Sequence, residues 1–232
     1  MARVHGYPNT GHGWAHTVGT LAIVGPDGAE RPILSKETHR VALAINSFST
    51  PAGGRALRVV DVGSGENWPV GDLKDAVVLG DAPLGTLWKE ATSRGAAGVV
   101  STTLPDYIVP TPPGEPVPPR DEWDILQWGS IPYDTAKRGF GFKASPRAAA
   151  DLRKAIAAGV TTVRVTIASS FTERPARMLI AEIPGTTRAG ERVVIAAHVQ
   201  EPGANDNASG TATLAELAVA MRKAIADGAL PP

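Results

Sequence analysis

The chain contains no cysteine. That excludes disulfide scaffolds, thiolate nucleophiles and cysteine-bound zinc, and leaves the compartment open, because either redox setting tolerates such a chain. It also lacks excess charge: 23 basic and 23 acidic side chains cancel, and no basic run interrupts the balance. Nucleic acid is therefore not an expected partner. No apolar run approaches the roughly 18 residues of a membrane span, and Met1-Ala-Arg-Val-His-Gly6 does not read as a signal peptide. The chain is expected to be soluble, with no membrane partner and no address of its own. Gly63-Ser64-Gly65 falls short of the Gly-x-Ser-x-Gly elbow of serine hydrolases and reads as a turn. At 232 residues the chain is long enough for one large or two ordinary domains.

The chemistry concentrates in one stretch. Val193 to Ala197 is an unbroken apolar run rich in β-branched residues, the pattern of a strand buried on both faces of an α/β sheet. His198 follows at its carboxyl end, where ligands collect in open α/β sheets. The loop Gly203-Ala-Asn-Asp206-Asn-Ala-Ser-Gly210 then opens a helix. Leu214, Leu217, Ala218, Met221 and Ile225 keep the spacing of one buried face, and Gly228 marks the stop. Asp206, Asn207 or Ser209 could each cap that helix. One cap suffices, so Asp206-Asn207 between two glycines, eight residues after a strand-end histidine, is more polar apparatus than capping needs. A bound cation explains the excess.

His198-Val-Gln-Glu-Pro-Gly-Ala-Asn-Asp206-Asn-Ala-Ser-Gly210 resembles the zinc-binding segment of the di-zinc exopeptidases related to bacterial leucyl aminopeptidase and glutamate carboxypeptidase. The resemblance implies that His198 binds one zinc and that Asp206 bridges two. A neutral imidazole suits zinc, and a carboxylate can span two ions about 3.5–4 Å apart. Where the family carries His-x-Asp, this chain has Gln200, with Glu201 beside it; either would orient the imidazole from outside the metal shell, Gln200 less strongly than a carboxylate. The family's Glu-Glu pair, further acidic ligand and second histidine come well after the Asp-Asn string, and no Glu-Glu dipeptide occurs here. Glu216 sits among the leucines of the helix and reads as structural or outer-shell. The resemblance thus supplies two metal ligands and no catalytic residue, and this chain is expected to be inactive alone.

Upstream, residues 1–20 carry His5, His12 and His16 among glycines. They read as a polar, partly ordered leader; the alternative, His12 and His16 on one helical face as metal ligands, is opposed by Gly11, Gly13 and Gly19. Leu21–Val24, Pro26-Asp27-Gly28 and Arg31–Leu34 read as strand, turn and strand, and Val41–Ile45 as a short strand or helical turn. Residues 49–54 turn to Ser, Thr, Pro and Gly, a candidate domain edge, before a strand over Ala56–Val62. Asp75–Leu79, a helix over Leu84–Arg94 and Gly98–Ser101 make a strand-helix-strand unit with a right-handed crossover. This segment, Asp72-Leu-Lys-Asp-Ala-Val-Val-Leu79 followed by Arg94-Gly-Ala-Ala-Gly-Val-Val100, resembles the protease-associated domain often inserted in that peptidase family. Residues 105–119 are proline-rich and read as a surface loop, either an irregular insertion or a flap. Trp123, Trp128, Tyr133 and Phe140 read as anchors of a small core. Ser145-Pro146 starts a helix over Ala148–Ala158, Thr161–Ile167 alternates as a half-buried strand, and Met178–Ile183 and Arg192–Ala197 read as adjacent peptidase strands.

The expected fold is α/β: N-terminal strands or leader (1–48), a protease-associated β-sandwich or barrel-like domain with helices (49–145), and the opening strands and helix of a phosphorylase/hydrolase-like mixed peptidase sheet (146–232). The expected function is that of a zinc metallopeptidase, an exopeptidase of aminopeptidase kind with two zinc ions and a peptide substrate. The alternative is a non-catalytic protease-associated module that binds peptides or mediates homodimer contacts. The family's members are often exported, an implication of resemblance alone.

Overall fold

The computed structural model describes residues 2–8, 11–66, 68–105, 108, 122–188, 190–199, 203–204 and 206–230. In chain order the elements are β1 (Ala2–Tyr7), β2 (Gly13–Val24), β3 (Glu30–Ser35), β4 (Arg55–Asp61), β5 (Ala76–Gly80), α1 (Leu84–Ser93), β6 (Gly98–Ser101), β7 (Phe140–Lys143), α2 (Pro146–Ala157), β8 (Thr162–Thr172), β9 (Ala176–Ala181) and α3 (Ala208–Ala226). They fall into two compact units, Gly13–Thr172 and a smaller one made of Met1–His12 with Glu173–Pro232.

The larger unit is built on one mixed seven-stranded sheet in the order β3-β2-β8-β4-β5-β6-β7. β4 to β7 run parallel, while β2, β3 and β8 pair antiparallel. β5 reads Ala-Val-Val-Leu-Gly and is buried throughout, as a parallel strand covered on both faces must be. α1 buries Leu84, Leu87, Trp88 and Ala91, the face its spacing predicts, and packs with Val62, Val78 and Val99 on one side of the sheet. α2 buries Ala148, Ala149 and Leu152 with Val100, Phe142 and Val165 on the other. Ser145 caps α2 as expected: its hydroxyl accepts from the Ala148 amide at 3.2 Å, and Pro146 takes the first turn. Gly139 lies under Trp88, whose ring occupies the place a Cβ would take.

Several expectations change. Residues 1–20 contain β1 and most of β2 rather than a leader, and His16 lies on a strand, not a helix. Their partners, β9 and β8, come from far along the chain: Ala2 pairs with Ala181 and Gly13 with Thr172. Residues 49–54 are not a boundary: the Thr50 amide donates to the Ile167 carbonyl and the Ser169 amide to the Ser49 hydroxyl. Residues 146–172, grouped from sequence with the zinc segment, complete the larger sheet through α2 and β8. A single mixed sheet with a helix layer on each face stands where a sandwich or barrel was expected. Of the aromatics, Phe140 is buried, whereas Trp123, Trp128 and Tyr133 reach the surface. Tyr133 stacks on Phe48 at 5.6 Å and meets Phe171 in a tilted contact at 4.9 Å, an aromatic cluster not visible in local spacing. Most of the proline-rich segment lies outside the described residues.

At the carboxyl ends of β4 and β5, Arg153 of α2 joins Asp61 (2.9 Å) and Asp81 (2.7 Å). Burial works to raise the Asp81 pKa, but the Thr102 hydroxyl and the Arg153 guanidinium outweigh it and hold the carboxyl below its ordinary value. A depressed folded-state pKa contributes stability that is present above the unfolded value and lost as pH falls through the folded one. Acidification below about pH 4, the ordinary aspartate value, should therefore lower the thermal midpoint of the native chain more steeply than that of Asp81→Asn, as followed by circular dichroism.

Candidate metal centre

In the smaller unit β1 pairs antiparallel with β9, His5 lying opposite Met178. The segment from Glu191 to Val199 forms neither strand nor helix. Val193 is 92% exposed and Val194 82%, which overturns the expectation of a strand buried on both faces. The apolar run states a need for neighbours, and among the described residues none is paired to it; ladder bonds and covered faces are what would make it a strand. α3 forms where predicted and Gly228 ends it at φ +72°, but none of its residues is fully buried. Leu214, Ala218 and Ile225 are half-buried, while Leu217 and Met221 of the predicted face remain exposed.

His198 and Asp206 come together across the loop. The His198 Nε2 stands 3.3 Å from the Asp206 Oδ1. Asn207 occupies the N-cap position of α3, and its own side chain makes no cap hydrogen bond. The Asp206 carboxylate turns back to the imidazole. Two glycines make this path open. A Cβ on Gly203 would strike the Asp206 carbonyl, and one on Gly210 would strike the Asn207 side-chain oxygen. Thr211, which sequence reasoning passed over, donates its hydroxyl to the His198 carbonyl (3.3 Å) and contacts the Asn207 carbonyl (3.1 Å), so the first turn of α3 holds the histidine backbone. Its one signal was a hydroxyl in the first helical turn, the kind of group that bonds nearby backbone.

The donor set can be tested against zinc. Two ligands each about 2.0–2.1 Å from a tetrahedral zinc stand about 3.3–3.4 Å apart, and the His198–Asp206 separation is 3.3 Å. The pair therefore fits one edge of a zinc shell. The His198 Nδ1 is buried and has no hydrogen-bond partner among the described residues, the position at which a metal-binding histidine takes an outer acceptor. Gln200 and Glu201, expected to supply it, lie outside the described residues. Among the described residues no group of three or more metal-ligating side chains occurs, so the edge is not a full shell. Of the other histidines, His12 belongs to the smaller unit, 3.9 Å from Glu173, and His16 to β2, where its ring stacks 4.9 Å from Trp14. Burial, then the Lys36 charge, hold the His16 pKa below its ordinary value. Glu216 is exposed on α3.

Gly210→Ala should displace Asn207 and the Asp206 carboxylate with it. The expected effect is a loss of zinc affinity of roughly tenfold or more, the scale of changes to groups that support a metal ligand. Gly185→Ala, where a Cβ meets open space, should leave zinc affinity unchanged in the same calorimetric titration.

Residues 178–228 match the model of Peptidase family M28. That stretch contains His198, Asp206 and α3. Among solved structures, the chain is similar to a Peptidase M28 precursor from Shewanella amazonensis SB2B, with a TM-score of 0.53 and 20% identity over 84% of this chain and 44% of that one. It is also similar to BSAP, a zinc aminopeptidase from Bacillus subtilis, with a TM-score of 0.51 and 20% identity over 94% of this chain and 46% of that one. These likenesses are of fold, and the chain spans less than half the length of either structure. No curated protein matches it. No helix among the described residues is long and apolar enough to cross a membrane.

Proposed function

We propose that this chain carries the zinc-binding part of a zinc-dependent metallopeptidase, an exopeptidase of aminopeptidase kind that hydrolyses peptide bonds. The observation that carries this reading is the convergence of the His198 ring nitrogen and the Asp206 carboxylate within the stretch that matches Peptidase family M28. His198 would bind as a neutral imidazole and Asp206 would bridge two ions, with Gln200 or Glu201 orienting the ring. A bound zinc supplies Lewis acidity, which polarises a scissile carbonyl and lowers the pKa of water. What this chain's own residues do is position: Thr211 fixes the His198 backbone, and Gly203 and Gly210 leave room for the loop that presents Asp206. No residue is assigned as general base, so one imidazole and one carboxylate are expected to bind zinc without turnover.

Residues 49–145 are read as the protease-associated domain, supported by their strand-helix-strand segment β5-α1-β6 and their place ahead of the metal loop in the chain. A second reading, in which the chain is an interaction module for peptides or for a second copy of itself, draws support from the two-donor site. Calorimetric titration of the chain with zinc at neutral pH separates the two. Saturable binding without hydrolysis of leucine p-nitroanilide is the expected result, and absence of any zinc binding favours the interaction module.

A further inference from the structure

We propose that Ser101, Thr103 and Lys143, gathered where β6 and β7 end, form a binding site for a small carboxylate anion. Lys143 is only 5% exposed. Its ammonium donates to the Thr103 carbonyl and to the Ser101 hydroxyl (3.4 Å), and Ser101 in turn donates to the Ala82 carbonyl at 2.8 Å. An ammonium has three N–H groups, so one is left over. Among the described residues Lys143 forms no ion pair. Asp81, on the neighbouring strand end, is committed to Arg153 and Thr102.

A buried cation without a counter-charge is costly, because desolvation is not repaid. Beside it is a second deficit: the Thr103 hydroxyl oxygen is buried and has no hydrogen-bond partner among the described residues. A lysine that served only to tie down the Thr103 backbone would account for the first contact and leave both deficits. One bound anion removes both, accepting the third lysine N–H through one oxygen and the threonine O–H through another. A carboxylate has two oxygens suited to that division, whereas a halide has one centre. The location agrees, since β5, β6 and β7 are parallel and ligands of such sheets gather beyond their carboxyl ends. Burial holds the Lys143 pKa below its ordinary value, and no carboxylate opposes that shift.

The site uses none of the zinc residues, so it stands or falls apart from the peptidase reading. The test is calorimetry on the full chain with sodium acetate as the probe, at ionic strength held constant with sodium chloride. Saturable acetate binding is expected. It should weaken at least about tenfold, the scale of a lost charge-assisted hydrogen bond, in both Lys143→Met and Thr103→Val, with circular dichroism confirming that each is folded. If Lys143→Met does not fold, Thr103→Val, which keeps the cation, decides alone. Absence of acetate binding, equal binding of chloride, or unchanged affinity in a folded variant would each overturn the proposal.

Discussion

Replacing His198 with alanine should abolish measurable zinc binding, a loss of about 100-fold or more. Zinc binding free energy in small sites is of order 10 kcal/mol spread over about four ligands, so each donor carries several kcal/mol. Here two donors converge among the described residues, and removing the imidazole leaves a single one of these, a carboxylate exposed to water. Asp206→Asn should fall nearly as far, because the amide keeps the volume and removes the charge. Glu216→Gln, on the exposed side of α3, should leave affinity unchanged. If Glu216→Gln weakened zinc as much as His198→Ala, the metal would be held on the helix surface rather than in the loop.

The second large effect concerns stability. Phe142 on β7 is fully buried and packs in the same cluster as Leu152 of α2 and Val100 of β6. Phe142→Ala removes most of a ring from the core and leaves a cavity, which costs about 3–5 kcal/mol. In urea unfolding the midpoint should fall by the matching amount, while Phe142→Leu should cost clearly less because it keeps most of the volume. An alanine variant as stable as the native chain would mean that β7 is not integral to the sheet.

How much of this was legible in the sequence depended on how local each signal was. β5-α1-β6, the Ser145-Pro146 start of α2, the turn at Pro26–Gly28 and the Gly228 stop of α3 were all readable, because caps, turns and helical spacing act within a few residues. β1 and the amino-terminal half of β2 were not. Their residues look like a polar glycine-rich leader until β9 and β8 arrive from the far end of the chain. Val193–Ala197 shows the reverse limit: β-branched residues declare a strand, but a strand exists only when something pairs with it, and here it lies exposed. The meeting of His198 and Asp206 was legible because a short loop joins them. Thr211 was not, since a threonine in a first helical turn is common and its acceptor lies 13 residues back.

The most direct test of the account is a crystal grown with zinc and measured at the zinc absorption edge. The account predicts an anomalous peak about 2.0–2.2 Å from both the His198 Nε2 and an Asp206 carboxylate oxygen. A zinc bound elsewhere, or none at this pair in a saturated crystal, would contradict it.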